Sequence, residues 1–189
     1  TFTPWDIFPL VAVNKRLEIL YHSIHYIDLI RSFLGMPKTI VAKTFNHPLK
    51  KYSSTRTTII FDYGKSLRGV INTNHDHDFG ATQQESFIKI EGTKGAVKIK
   101  MGLLMDYPNG ADDAFEYCIV SEGQKPEWET ANIHGSWFPD AFSNIMTTMM
   151  LYKNGDINVL PTSVEDAVHT MQLVESAYVS AEKDGTLLS

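Results

Sequence analysis

Between residues 39 and 101 the chain sets out β-branched and aromatic runs in close succession, and this spacing restricts the fold more than any other feature. The runs are 39–46, 56–63, 66–74, 85–92 and 96–101, and 115–120 is a sixth. Tyr63-Gly64-Lys65-Ser66 and Gly92-Thr93-Lys94-Gly95 leave room only for hairpin turns. Parallel neighbours need a crossover of roughly a dozen residues, so these strands are expected to pair antiparallel. Val97, Ile99 and Met101 alternate with Lys98 and Lys100, the pattern of one buried and one wet face. Thr57, Ile59 and Phe61 alternate with Thr58, Ile60 and Asp62, so here both faces are partly apolar.

Helical periodicity brackets the strands. Over residues 15–34, Leu20, Ile24, Ile27, Ile30 and Leu34 form one apolar stripe, and Gly35 and Pro37 end it. His22, His25, Leu29 and Phe33 occupy the opposite side, so the helix is expected to pack on two sides with its histidines in a core or cleft. Pro139 opens a second helix bearing Phe142, Ile145, Met146, Met149 and Tyr152 on one side, closed by Gly155. Pro161 and a capping box of Thr162 and Glu165 start a third. Its expected buried stripe is Val164, Val168, Met171, Val174, Tyr178 and Ala181. The irregular stretch 102–114 reads as a surface loop. The sum is an α+β fold: one mostly antiparallel sheet of about six strands, helices on one face, and the other face open for a homodimer or higher homo-oligomer.

At 189 residues the chain suits a single domain, 1–189. Its net charge of -5, without a block of like charges, argues against a nucleic-acid partner. The single Cys118 excludes an intrachain disulfide framework and a cysteine-rich zinc site, and points to a reducing, cytoplasmic setting. No apolar run approaches the ~20 residues that span a bilayer. Thr1–Leu10 lacks a basic leader pattern and an initiator Met, so the start is read as a cut inside a longer chain.

The chemistry-bearing residues are mostly histidines. His22, His25 and Asp28 share a helix, and Asn72, Asn74, His75, Asp76, His77 and Asp78 crowd one strand end. An imidazole beside a carboxylate serves acid–base work near neutral pH, though the second group also suits a solvated turn. Met146, Met149 and Met150 read as core filler. Trp137 and Phe138 read as a hydrophobic staple or a sugar-stacking wall. A six-residue separation places His22 and Asp28 about 120° apart around a helix axis, so they do not converge on one ion and no metal site is expected. No Gly-x-Gly-x-x-Gly or Walker motif occurs, so no cofactor is expected on this chain alone.

Three segments, in order, resemble one family. Ser23-Ile24-His25-Tyr26-Ile27-Asp28-Leu29-Ile30-Arg31-Ser32-Phe33-Leu34-Gly35 resembles the helix that opens the second domain of the glucose–fructose oxidoreductase, inositol dehydrogenase and MocA family. Phe87-Ile88-Lys89-Ile90-Glu91-Gly92-Thr93-Lys94-Gly95 resembles its strand–turn signature. Pro161 through Ala167, Val174, Glu175, Ala177, Tyr178, Ser180, Ala181 and Gly185 resembles its closing helix and strand. The resemblance implies a parent enzyme whose N-terminal Rossmann domain holds NAD or NADP. The reaction implied is hydride transfer at a secondary alcohol of a sugar, cyclitol or related polyol. It places the family's lysine in that Rossmann domain, and without a phosphate-binding loop this chain alone is expected to be inactive.

The family's helix reads Asp-x-Gly-x-His-x-x-Asp. His25 and Asp28 match, while Tyr21 and Ser23 replace the first Asp and the Gly. With a pKa of roughly 10, Tyr21 is a poorer anionic partner for the histidine than an acid. The match at His25 implies that it is the general base. The expected substrate-binding residues are Trp5, Asp6, His22, Asn74, His75, Gln84 and Trp137. A non-catalytic sugar-binding or assembly domain of the same fold, and a metal-dependent sugar isomerase or hydrolase, are the alternatives.

Overall fold

The computed structural model describes residues 13–49, 52–75, 77, 79–106, 109–135 and 140–186. Trp5, Asp6 and Trp137 lie outside the described residues. The chain divides into two compact units. One takes the segment ending at Asp76 together with that beginning at Pro161, and the other takes His77–Leu160. The expected α+β class with antiparallel pairing is observed, but the strands form two sheets, of three and four strands, in place of one of about six.

In the first unit a π-helical turn, Ile19–Ser23, runs into α1, Ile24–Leu34. The expected single helix over 15–34 is thus split into two geometries. Gly35 ends α1 with φ 71°, its N–H donating to the Arg31 carbonyl at 2.8 Å. Three strands follow as an antiparallel meander: β1 Thr39–Phe45, β2 Arg56–Asp62 and β3 Arg68–Asn74. Helix α3, Val164–Ala181, returns to pack on β1 and α1. Thr57, Ile59 and Phe61 of β2 point into this layer and are buried, while Thr58, Ile60 and Asp62 alternate outward and are exposed. Ile19, Ile27, Ala42, Ile71, Leu173, Val174, Ala177 and Tyr178 complete the core. Gly69 lets α1 sit close on β3, since a Cβ there would lie 3.2 Å from Ile30 Cγ2.

Helix α3 corrects two expectations. Its N-cap is Ser163, whose hydroxyl accepts from the Asp166 N–H at 3.2 Å, one residue later than the Thr162–Glu165 box. Its buried face is Thr170, Leu173, Val174, Ala177 and Tyr178, whereas Val164, Val168 and Met171 are exposed. Apolar residues occur on both sides of this helix, so periodicity alone did not select the face that meets β1.

In the second unit β4 Phe87–Gly92, β5 Gly95–Lys100, β6 Ala114–Ile119 and β7 Glu129–Ala131 form an antiparallel sheet in chain order. The sequence pattern missed β7, which pairs only three residues with β6. Between β5 and β6 the expected loop is held by the Gly102 N–H on Asp113 Oδ1 at 2.6 Å and the Ala111 N–H on the Gly102 carbonyl at 2.9 Å. Helix α2, Ala141–Asn154, leaves Phe142, Ile145 and Tyr152 exposed, and Met146, Met149 and Met150, expected as core filler, are exposed as well. No helix among the described residues is long and apolar enough to cross a membrane.

Candidate functional site

The most unusual side chain in the first unit is Glu18, a carboxylate with no exposed surface, set between Leu17 and Ile19, which are buried as completely. An unpaired charge there would be costly, so its partners define the site. The π turn supplies the first. Five residues on, Ser23 comes over Glu18, and its hydroxyl donates to Oε1 at 2.8 Å. The other oxygen, Oε2, faces two imidazoles: His75 Nε2 at 2.7 Å and His22 Nδ1 at 3.4 Å. The two rings stack, with centroids 4.4 Å apart and planes 22° from parallel.

The backbone holds both approaches in place. The Glu18 N–H donates to the Ser54 carbonyl at 3.2 Å, and the His75 N–H donates to the next carbonyl, Thr55, at 3.1 Å. Ser54 has φ 49°, a left-handed conformation uncommon for a non-glycine residue. Three hydrogen bonds impose it. The Ser54 N–H donates to Asn46 Oδ1 at 2.7 Å, its hydroxyl donates to the Lys15 carbonyl at 3.0 Å, and the same hydroxyl accepts from the Leu17 N–H at 2.9 Å. Burial alone would raise the Glu18 carboxyl. The imidazoles of His22 and His75 outweigh it and lower the group to about 2.

The expected site residues are only partly gathered here. His22 and His75 meet on Glu18, with side chains 32% and 13% exposed, which leaves one side of the cluster open to solvent. Asn74 precedes His75 but alternates toward the outward face of β3, where it is exposed. His25 is exposed at the start of α1. Asp28 accepts from the Thr170 hydroxyl and from Arg31 Nη2, the latter at 3.0 Å, so its carboxylate ties α1 to α3. The Tyr21 hydroxyl accepts from Asn14 Nδ2 at 3.1 Å. Gln84 belongs to the second unit, where its Oε1 accepts from the Asp106 N–H at 2.8 Å. Glu18 itself escaped the sequence reading. Two signals pointed to it: an acid inside the apolar run Leu17-Glu18-Ile19-Leu20, and a four-residue separation from His22.

Residues 19–187 match the model of a family described as the oxidoreductase family, C-terminal alpha/beta domain. Among curated proteins the chain is similar to the D-apiose dehydrogenase of Rhizobium rhizogenes, with 25% identity over 97% of this chain and 52% of that protein. Among solved structures it is similar in fold to an oxidoreductase from Agrobacterium radiobacter in complex with NAD+, L-tartaric acid and magnesium. The TM-score is 0.69 and the identity 20%, over 95% of this chain and 51% of that one. The chain therefore spans about half the length of these relatives.

Proposed function

Because this chain belongs to the oxidoreductase family whose C-terminal alpha/beta domain matches residues 19–187, we propose that it forms the substrate wall of a sugar, cyclitol or related polyol dehydrogenase. His25 is the general base for a secondary hydroxyl. The observation that carries this reading is the position of His25. It is an exposed imidazole at the start of a helix whose other side, through Ile27, is locked into the core. An imidazole so presented can reach the proton of a bound hydroxyl, which is the geometry a general base requires. His22 and His75 line the same unit as candidate substrate contacts. Asn74, Gln84, Trp5, Asp6 and Trp137 complete the proposed set on sequence grounds.

In such a reaction NAD or NADP accepts the hydride. The sequence has no glycine-rich phosphate loop, and Gly80 opens only the three-residue 3-10 turn Ala81–Gln83. Cofactor recognition is assigned in this reading to an N-terminal Rossmann domain. In a full-length protein carrying this chain, His25→Ala should lower kcat ~10²–10⁴-fold with a smaller change in KM. An unchanged kcat across neutral pH would remove His25 from the chemistry.

One observation favours a second reading, an assembly or sugar-binding domain without catalysis. Asp28 is engaged by Thr170 and Arg31, and Tyr21 by Asn14, so among the described residues no carboxylate is hydrogen-bonded to His25. Under that reading the parent binds the sugar but does not oxidise it, and His25→Ala alters affinity alone.

A further inference from the structure

We propose that Glu18, His22 and His75 form a binding site for a divalent transition-metal ion of the zinc class, a role separate from that of His25. The three ligand atoms lie within 4.8 Å of one another. Two imidazole nitrogens and one carboxylate oxygen are a donor set suited to Zn2+ and its first-row neighbours, whereas Mg2+ and Ca2+ favour all-oxygen shells.

The two separations from Glu18 are near those of a zinc shell, and the stacked rings, 22° from parallel, would have to tilt toward each other for both nitrogen lone pairs to reach one ion. Zinc binds nitrogen and oxygen at ~2.0–2.2 Å, so adjacent ligands of a tetrahedral ion stand roughly 3.4 Å apart. His22 Nδ1 is already 3.4 Å from Glu18 Oε2. His75 Nε2, at 2.7 Å, must withdraw by a fraction of an ångström.

The supporting groups are those a metal site needs. Ser23 holds Oε1, which fixes the carboxylate plane and turns Oε2 to the imidazoles. Ser54 and Thr55 anchor the backbones of Glu18 and His75 through consecutive carbonyls. Glu18 is fully buried, so the ion would have a dry floor, and the partly exposed His22 gives it an entry path. The spacing that argued against a metal concerned His22 with Asp28. The fold replaces Asp28 by Glu18 from the same turn and adds His75 from the end of β3.

The test uses the 189-residue chain after treatment with a chelator. Calorimetric titration with Zn2+ should give one ion per chain with micromolar or tighter affinity, and Co2+ should develop the strong visible bands of a low-coordinate site. His22→Ala and His75→Ala should each weaken Zn2+ at least tenfold. His134→Ala, at an exposed position, should leave it unchanged. Glu18→Gln removes the anionic ligand from a buried place, so circular dichroism must first show that it folds. His22→Ala, which alters a partly exposed side chain, carries the test if it does not. Absence of stoichiometric Zn2+ binding by the wild type overturns the proposal. So does wild-type affinity in both His22→Ala and His75→Ala, or loss of binding in His134→Ala.

Discussion

A single added carbon at Gly95 would meet the backbone of the neighbouring strand. Its Cβ would lie 2.3 Å from the Cys118 carbonyl oxygen, and Gly95 pairs with Ile119 where β5 turns out of the hairpin. Backbone cannot rotate away as a flexible side chain does, so Gly95→Ala should destabilise the chain by ~1–3 kcal/mol, the usual range for overpacking. Urea unfolding measures this, and an unchanged midpoint would show that the hairpin relaxes. The glycine's role as a turn residue was legible in Gly92-Thr93-Lys94-Gly95; its contact with Cys118 was not, because that depends on which strand pairs next. Glu18 shows the same division. Its separation from His22 is local and visible, but His75 reaches it only after β2 and β3 have paired and placed the strand end beside Ser54 and Thr55. The Ser23 contact depends on a π turn, which α-helical spacing does not anticipate.

Elements were more legible than their partners. The ends of β1 to β6 fall within two residues of the sequence pattern because turn residues mark them on both sides. The division into two sheets was hidden, since no residue pattern states that β3 and β4 do not pair. Helix α3 was placed correctly, with Val174 and Tyr178 of its expected stripe in the core and Val164, Val168 and Met171 exposed, and its inner side also carries polar contacts to α1. Arg31 of α1 donates to Asp166 through Nη1 at 2.9 Å and through Nη2, and to the Thr170 hydroxyl at 2.9 Å. The Arg31 hydrogen bonds hold the Asp166 carboxyl below its ordinary value of 3.8. A lowered carboxyl stabilises the fold in full above the ordinary pKa, and that contribution disappears as pH falls through and below it. Asp166→Asn should therefore be less stable than wild type at pH 6, and the gap should close as the pH falls below the ordinary carboxyl value of 3.8. The Asp166 side chain is 40% exposed, so melting temperatures should differ by only a few degrees and less at high salt. A gap that does not narrow as the carboxyl is protonated would mean that Asp166 acts through packing or its neighbouring cap and not through its charge.

On the scale of the whole molecule, the sheet of the first unit keeps an apolar row on its outward face. Val41, Ile60 and Val70 lie directly opposite one another across β1, β2 and β3, and they are 57%, 39% and 52% exposed. Phe45, on the same side of β1, is 61% exposed. An apolar row in register across three strands differs from scattered surface residues, because one flat partner can cover all of it at once. The buried side of the same sheet already has α1 and α3, so folding of this unit supplies no second cover. Symmetric twofold pairing is the commonest solution for a soluble chain, and a stable interface of ~1,600 Å² in total could use this face from each copy. The chain should therefore sediment at micromolar concentration as a dimer or larger assembly, above the 21.3 kDa of one copy. Ile60→Lys, which places a charge at the centre of the row without touching the buried side of β2, should shift it toward monomer with its circular dichroism unchanged. A wild-type chain that stays monomeric would assign this face to solvent, and a variant that stays assembled would place the interface elsewhere.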